Sequence, residues 1–212
     1  MNSPESPAHT QTFPLSDSSE LGPVSPEAFA TSTATDAARA ANLHNDQLRT
    51  QWPDIKKTLE QAQASAVHCT IATVSPDGMP HITPVGTVFL RDDQTGFFFD
   101  HYAVALGDNI DRNSNVCVCA VNVGRWFWLR ALVTGQFTAT PGVRLYGQAG
   151  RARSATEDEL RLIHDRVKGA SRLKGAKQLW SDFSVVRDIQ FTDFKAVTYP
   201  MMMDKVWPNR SL

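Results

Sequence analysis

Four β-rich runs follow one another between Val67 and Asn122, VHCTIATVSPDGMPHITPVGTVFLRDDQTGFFFDHYAVALGDNIDRNSNVCVCAVN, and they restrict the fold more than any other feature. Val67–Val74 is crowded with β-branched residues, and Ser75-Pro76-Asp77-Gly78 supplies turn chemistry. Pro80–Leu90 reads as one second strand with Ile82, Gly86, Val88 and Leu90 on a common face. Arg91–Gly96 turns the chain, and Phe97-Phe98-Phe99 is a short buried third strand. A helix over Ala103–Asn113 then leads into a fourth strand, Asn115–Asn122. Short antiparallel strands joined this way curl into a barrel or stack as a sandwich, so the chain is mainly β.

Several fragments of this stretch come in a recognisable order. They are Thr70-Ile71-Ala72-Thr73-Val74, then Asp77-Gly78-Met79-Pro80-His81-Ile82-Thr83-Pro84-Val85, the aromatic third strand, Asn109-Ile110, and Asn115-Val116. In order and spacing they resemble the pyridoxamine 5′-phosphate oxidase-like family. The resemblance implies an FMN-binding split β-barrel with flanking helices, usually a homodimer with ligand sites at the subunit interface. It also implies that the flavin ring lies along the second strand, at His81, Thr83, Pro84, Val85 and Gly86. His101 and Tyr102 fall on the loop that meets the phosphate or ribityl chain, close to Asn109. Without the family context, Thr83-Pro84-Val85 is simply a kinked strand.

The phosphate side departs from the family. Relatives carry a Ser or Thr and an Arg or Lys pair a few residues before the Asn-Leu; here Val104, Ala105 and Leu106 occupy those positions, with Asp108 beside Asn109. None of the three replacements binds phosphate through its side chain, and a buried phosphate without a cation is costly. Three outcomes remain open. The cation comes from Arg112, Arg125, Arg130 or Arg144, or from the Lys168–Lys177 segment of a partner subunit. Alternatively FMN is held weakly, or the site takes another ligand or none.

The remainder of the chain divides around the barrel. Residues 1–36 lack Lys and Arg and are rich in Ser, Thr, Pro and Ala; they read as a flexible tail, or as an arm wrapping a partner through Phe13, Leu15 and Phe29. Residues 37–66 read as two helices broken at Trp52-Pro53, the second carrying an Ile55, Leu59, Ala62 stripe. Residues 67–212 are the barrel domain. Within it, Val123–Gly142 with Arg125-Trp126-Phe127-Trp128-Leu129-Arg130 reads as a hydrophobic hairpin closing the barrel or as a strand crossing a subunit interface. Val143–Arg153 is a strand with Gly147 and Gly150 as bend points, and Thr156-Glu157-Asp158-Glu159 is a capping box opening a helix to Lys168. Ser184–Tyr199 is a last strand or hairpin with Ile189 and Phe191 inward, and Met201-Met202-Met203 and Trp207 pack near its end.

Net charge decides what the chain does not recruit. At −1 it generates no field for nucleic acid or an anionic membrane, and no apolar run has the length of a membrane span. Three cysteines, an odd number, fit a reducing cytoplasm better than a disulfide framework. Cys117 and Cys119 share a strand face without further ligands at metal spacing, so they read as small apolar residues. Neither a nucleophile elbow nor a phosphate loop occurs, and a flavin enzyme needs neither, because its cofactor carries the chemistry. The family resemblance implies an FMN-dependent oxidoreductase with an unknown small-molecule substrate. It is not a true pyridoxamine phosphate oxidase, whose arginine-rich signature is absent near Pro208–Leu212. The competing reading is a non-catalytic module on the same fold that binds a flavin, haem or other planar ligand.

Overall fold

The computed structural model describes residues 26–101, 103–169 and 183–203, the helical residues 26–44 and residue 200 as backbone alone. Two units are distinguished, Met1–Ala40 and Ala41–Leu212. The expected wrapping arm lies outside the described side chains, as do the Arg172–Lys177 cations, Tyr102 and Trp207.

Eight antiparallel strands form one sheet. In chain order they are β1 (Cys69–Val74), β2 (Pro80–Val85), β3 (Val88–Leu90), β4 (Thr95–Phe99), β5 (Asn115–Val121), β6 (Gly142–Ala149), β7 (Arg153–Ser154) and β8 (Val185–Ala196). The hydrogen-bonded path is β2-β1-β5-β6-β8-β4-β3, with β7 added to β8. The two terminal strands of that path, β2 and β3, are consecutive in sequence and joined only by Gly86 and Thr87. The sheet must therefore curl until its ends approach. No ladder connects β2 to β3, so the barrel is split along that seam.

This corrects the expectation of one strand over Pro80–Leu90. The run breaks at Gly86-Thr87, its halves joining opposite ends of the sheet, and Ile82 is 65% exposed whereas Val88 and Leu90 are buried. A single alternating pattern could not serve both halves, because β3 buries three consecutive side chains between sheet and helices.

Helix α1 spans Pro26–Ala66 without a break, contrary to the expected interruption at Trp52-Pro53 and to a helical start at Ala37. Leu48, Trp52, Ile55, Leu59 and Ala62 are all buried at three- and four-residue spacing that continues across Pro53. An interior proline costs about 3 kcal/mol. Burying each large apolar side chain of that stripe contributes about 1.5–3 kcal/mol, so packing prevails. Trp52 adds a hydrogen bond from Nε1 to the Arg91 carbonyl at 2.7 Å.

Helix α2 covers Val104–Arg112 and α4 covers Glu157–Val167 behind the anticipated capping box of Thr156 and Glu159. The Arg125-rich segment is helix α3, Arg125–Thr134, not a hairpin or strand. Phe127, Trp128 and Ala131 turn inward onto Phe137 and Met203, a helical spacing, and Gly135 ends the helix in the left-handed region at φ 68°. The aromatic β-propensity of the segment yields to this tertiary packing. In the sheet, the β6–β8 register shifts between Tyr146 and Gly147, where a Cβ on Gly147 would run into the Gln190 carbonyl. Gly147 thus marks the bulge that the sequence suggests.

Candidate functional site

Register divides the β2 residues between two faces. His81 pairs with Thr73, Thr83 with Ile71 and Val85 with Cys69, and these six point to the inside of the sheet. Pro80, Ile82 and Pro84 pair with Val74, Ala72 and Thr70 on the outside. Thr83 Oγ1 lies 3.4 Å from His81 Nδ1. Asn109 on α2, buried, donates from Nδ2 to Thr73 Oγ1 at 3.1 Å. Three residues singled out from sequence, His81, Thr83 and Asn109, are thereby gathered around Thr73, which sequence reasoning missed because nothing but the β1–β2 register marks it. Pro84 stands apart on the exposed side of the strand, and Val85 is buried over Cys69.

Gly86 has a structural duty. Its carbonyl accepts from Gln63 Nε2 at 2.9 Å, and an added Cβ would stand 3.2 Å from the Val67 carbonyl oxygen. Close approach at this glycine is therefore by α1 and the start of β1.

The loop after β4 leads into α2 through His101, whose ring meets that of Phe183, and Ala103. The α2 N-terminus has no side-chain cap. Val104 is 75% exposed, Ala105 is exposed and Leu106 is buried, so the first turn offers no cation. A described cation close to α2, near Gly107, is already committed. Arg187 on β8, with a side chain only 5% exposed, donates from Nε to Asp100 at 2.6 Å and from Nη1 to Asp111 at 2.6 Å. The Arg187 contact holds the Asp111 carboxyl below the usual carboxylate range. Arg125 opens α3 at the opposite end of β5 from α2, and it is exposed. The described residues thus suit the ring of a flavin along β2, and those of the first turn of α2 do not fit its phosphate.

The outer face carries one row of Pro84, Thr70, Cys119, Arg144 and Lys195 across β2, β1, β5, β6 and β8. Cys117 lies in the next row opposite Tyr146. Burial, reinforced by Cys119, raises the Cys117 thiol above its ordinary pKa, which keeps it a poor nucleophile.

A cleft of about 740 Å³ lies elsewhere, between α1, β3 and α4. Its cations are occupied. Arg91 and Arg153 both bind Glu159 and Asp188, and Lys56 binds Asp92. Arg166 lies flat over the Phe89 ring at 3.6 Å and donates to the Val88 carbonyl at 2.7 Å. The cleft is a junction locked by charge.

Comparison with known proteins follows this geometry. No curated protein matches the sequence. Among solved structures, an FMN-binding protein from Syntrophomonas wolfei has 12% identity and a TM-score of 0.48, covering 81% of this chain and 98% of its own. HupZ from group A Streptococcus has 17% identity and a TM-score of 0.45, covering 66% and 91%. The Vibrio cholerae haem storage protein HutZ has 14% identity and a TM-score of 0.42, covering 67% and 94%. Each of the three falls below a TM-score of 0.5, so the assignment rests on sequence. The profile of the pyridoxamine 5′-phosphate oxidase family matches residues 55–189, well over half of the chain, and the protein belongs to that family.

Proposed function

We propose that the protein is a flavin-binding oxidoreductase of this family, active as a homodimer, with the isoalloxazine ring held along β2. The observation that carries the reading is that β2 ends the sheet. It is hydrogen-bonded to β1 alone, so alternate backbone N–H and C=O groups around Thr83 have no ladder partner. The pyrimidine end of a flavin, with alternating carbonyl and N–H groups, is complementary to such an edge, and His81 and Thr83 stand beside it. A bound flavin would supply the redox chemistry; the chain would orient the ring and exclude water from it. The uncharged α2 turn favours the second reading, a non-catalytic module for a planar ligand on the same fold.

An absorption spectrum of the purified protein tests the proposal. A flavin spectrum that bleaches with a nicotinamide donor and returns in air supports an oxidoreductase. Colourless protein whose melting temperature no flavin raises eliminates it. Thr83→Phe is expected to weaken flavin binding by at least about tenfold. The variant should keep its melting temperature within about 4 °C. Full affinity in that variant would place the ring elsewhere.

The dimer is supported by the outward face of α3. Trp126, Leu132 and Val133 are 83%, 70% and 78% exposed on a helix whose other face is already packed. A second copy would cover this surface. Light scattering should give twice the chain mass for the native protein and the monomer mass for Leu132→Asp combined with Val133→Asp. A variant that stays dimeric would exclude α3 from the interface.

A further inference from the structure

We infer that the site selects the ring of a flavin and not its phosphate, so that riboflavin is bound about as well as FMN. This rests on the flavin reading above and concerns the loop where a phosphate would be met. Ala103, Val104 and Ala105 bring no donor or charge from their side chains, and Val104 points to water. Asp100 precedes this turn, and Asp108 and Asp111 follow it on α2. Among the described residues the guanidinium at this turn is that of Arg187, which Asp100 and Asp111 already bind, while Arg151 acts on Asp111 from the far end of the helix. Turning Arg187 toward a phosphate would strip the largely enclosed Asp100 of its counter-charge. The other arginines, Arg112 and Arg151, line a small pocket with Ser114 and Gly150 at the far end of α2, roughly 12 Å along the helix.

Among the described residues, what remains for an anion is the helix terminus itself, whose uncapped N–H groups favour negative charge by a factor of about five. A true phosphate clamp, with two charge-assisted contacts, favours FMN over riboflavin by about a hundredfold or more. Salt separates the cases by sign. A clamp loses FMN affinity as ionic strength rises. Here, with carboxylates in excess, screening leaves FMN binding unchanged or strengthens it.

The test is titration of the full-length protein, freed of bound flavin, with riboflavin and with FMN at low and high salt. The two dissociation constants should agree within about fivefold, and FMN should not weaken at high salt. Val104→Lys, at an exposed position, should strengthen FMN by about tenfold and leave riboflavin unchanged. A native preference for FMN of about a hundredfold that falls with salt overturns the inference, since a cation from the partner subunit would then be clamping the phosphate. So does a Val104→Lys variant that shifts both ligands equally or neither. If neither flavin binds the native protein, the flavin reading fails and this inference falls with it.

Discussion

Replacing Arg187 with Met should lower stability by about 3–5 kcal/mol, because it leaves Asp100 buried without a counter-charge. The Asp100 side chain is only 13% exposed, and Arg187 ties it to Asp111 and to the Gly150 carbonyl at 3.3 Å. The exposed Asp111 can turn to water; Asp100 cannot. For a chain of this length the loss corresponds to a fall in melting temperature of roughly 10 °C or more. Adding Asp100→Asn to Arg187→Met should recover part of it, since a neutral amide at that position is less costly to bury than a carboxylate. A single variant that melts within about 2 °C of the native protein would show that water reaches Asp100 and that Arg187 is dispensable. Asp100 leads directly into His101 and α2, so the loop between β4 and α2 is positioned by this buried cation. The same geometry removes Arg187 from any direct role with a phosphate.

Nothing in the sequence singles out Arg187, although it shares the strand parity of the inward Ile189 and Phe191. Its partners are not legible there: Asp100 and Asp111 come from different elements, and only the β4–β8 pairing and the seat of α2 bring them together. The strands were largely legible, because alternation in β1 and β5 reflects one buried face each. Two failures have a common cause. At Pro53 and in Arg125–Thr134, a local preference pointed one way and burial on the core pointed the other. The stripe Leu48, Trp52, Ile55, Leu59, Ala62 contains the answer for α1, provided the spacing is followed through the proline. For α3 the helical spacing of Phe127, Trp128 and Ala131 was available too, obscured by the apolar residues on its outer face. The break at Gly86-Thr87 was less accessible, since it follows from barrel closure. Of the proposed site, His81, Thr83 and Asn109 converge, whereas Arg125 stands at the far end of β5 from α2 and Gly86 is engaged by α1.

Acid should lower the stability that Glu159 contributes, although its carboxyl stays ionised in the folded protein until the pH approaches 2. Glu159 accepts from Arg153 at 2.9 and 2.7 Å, from Arg91 at 2.8 Å and from the Thr156 N–H at 2.9 Å. The Arg153 bonds, foremost, hold its carboxyl at about 2, against an ordinary 4.5. A carboxyl lowered on folding stabilises fully above its unfolded pKa and loses that contribution as pH falls through the folded value. The contribution is about 3 kcal/mol near neutrality, of which roughly 2 kcal/mol should be lost between pH 6 and pH 3. Glu159→Gln removes the titrating group, so urea unfolding of the variant should be weaker at neutral pH. The gap to the native protein should then narrow by that amount at pH 3. Parallel pH profiles for the two proteins would show that the network contributes nothing beyond surface screening. The network's influence does not stop at α4, because α4 carries Arg166, whose guanidinium holds the Val88 carbonyl and reaches that of Gly86 at 3.5 Å. In the folded protein the Glu159 network stays ionised down to about pH 2, so the grip on the β2–β3 connection persists through mild acid. Glu159→Gln removes the network's charge at every pH, so if the proposed flavin site is correct the variant should bind flavin more weakly already at neutral pH.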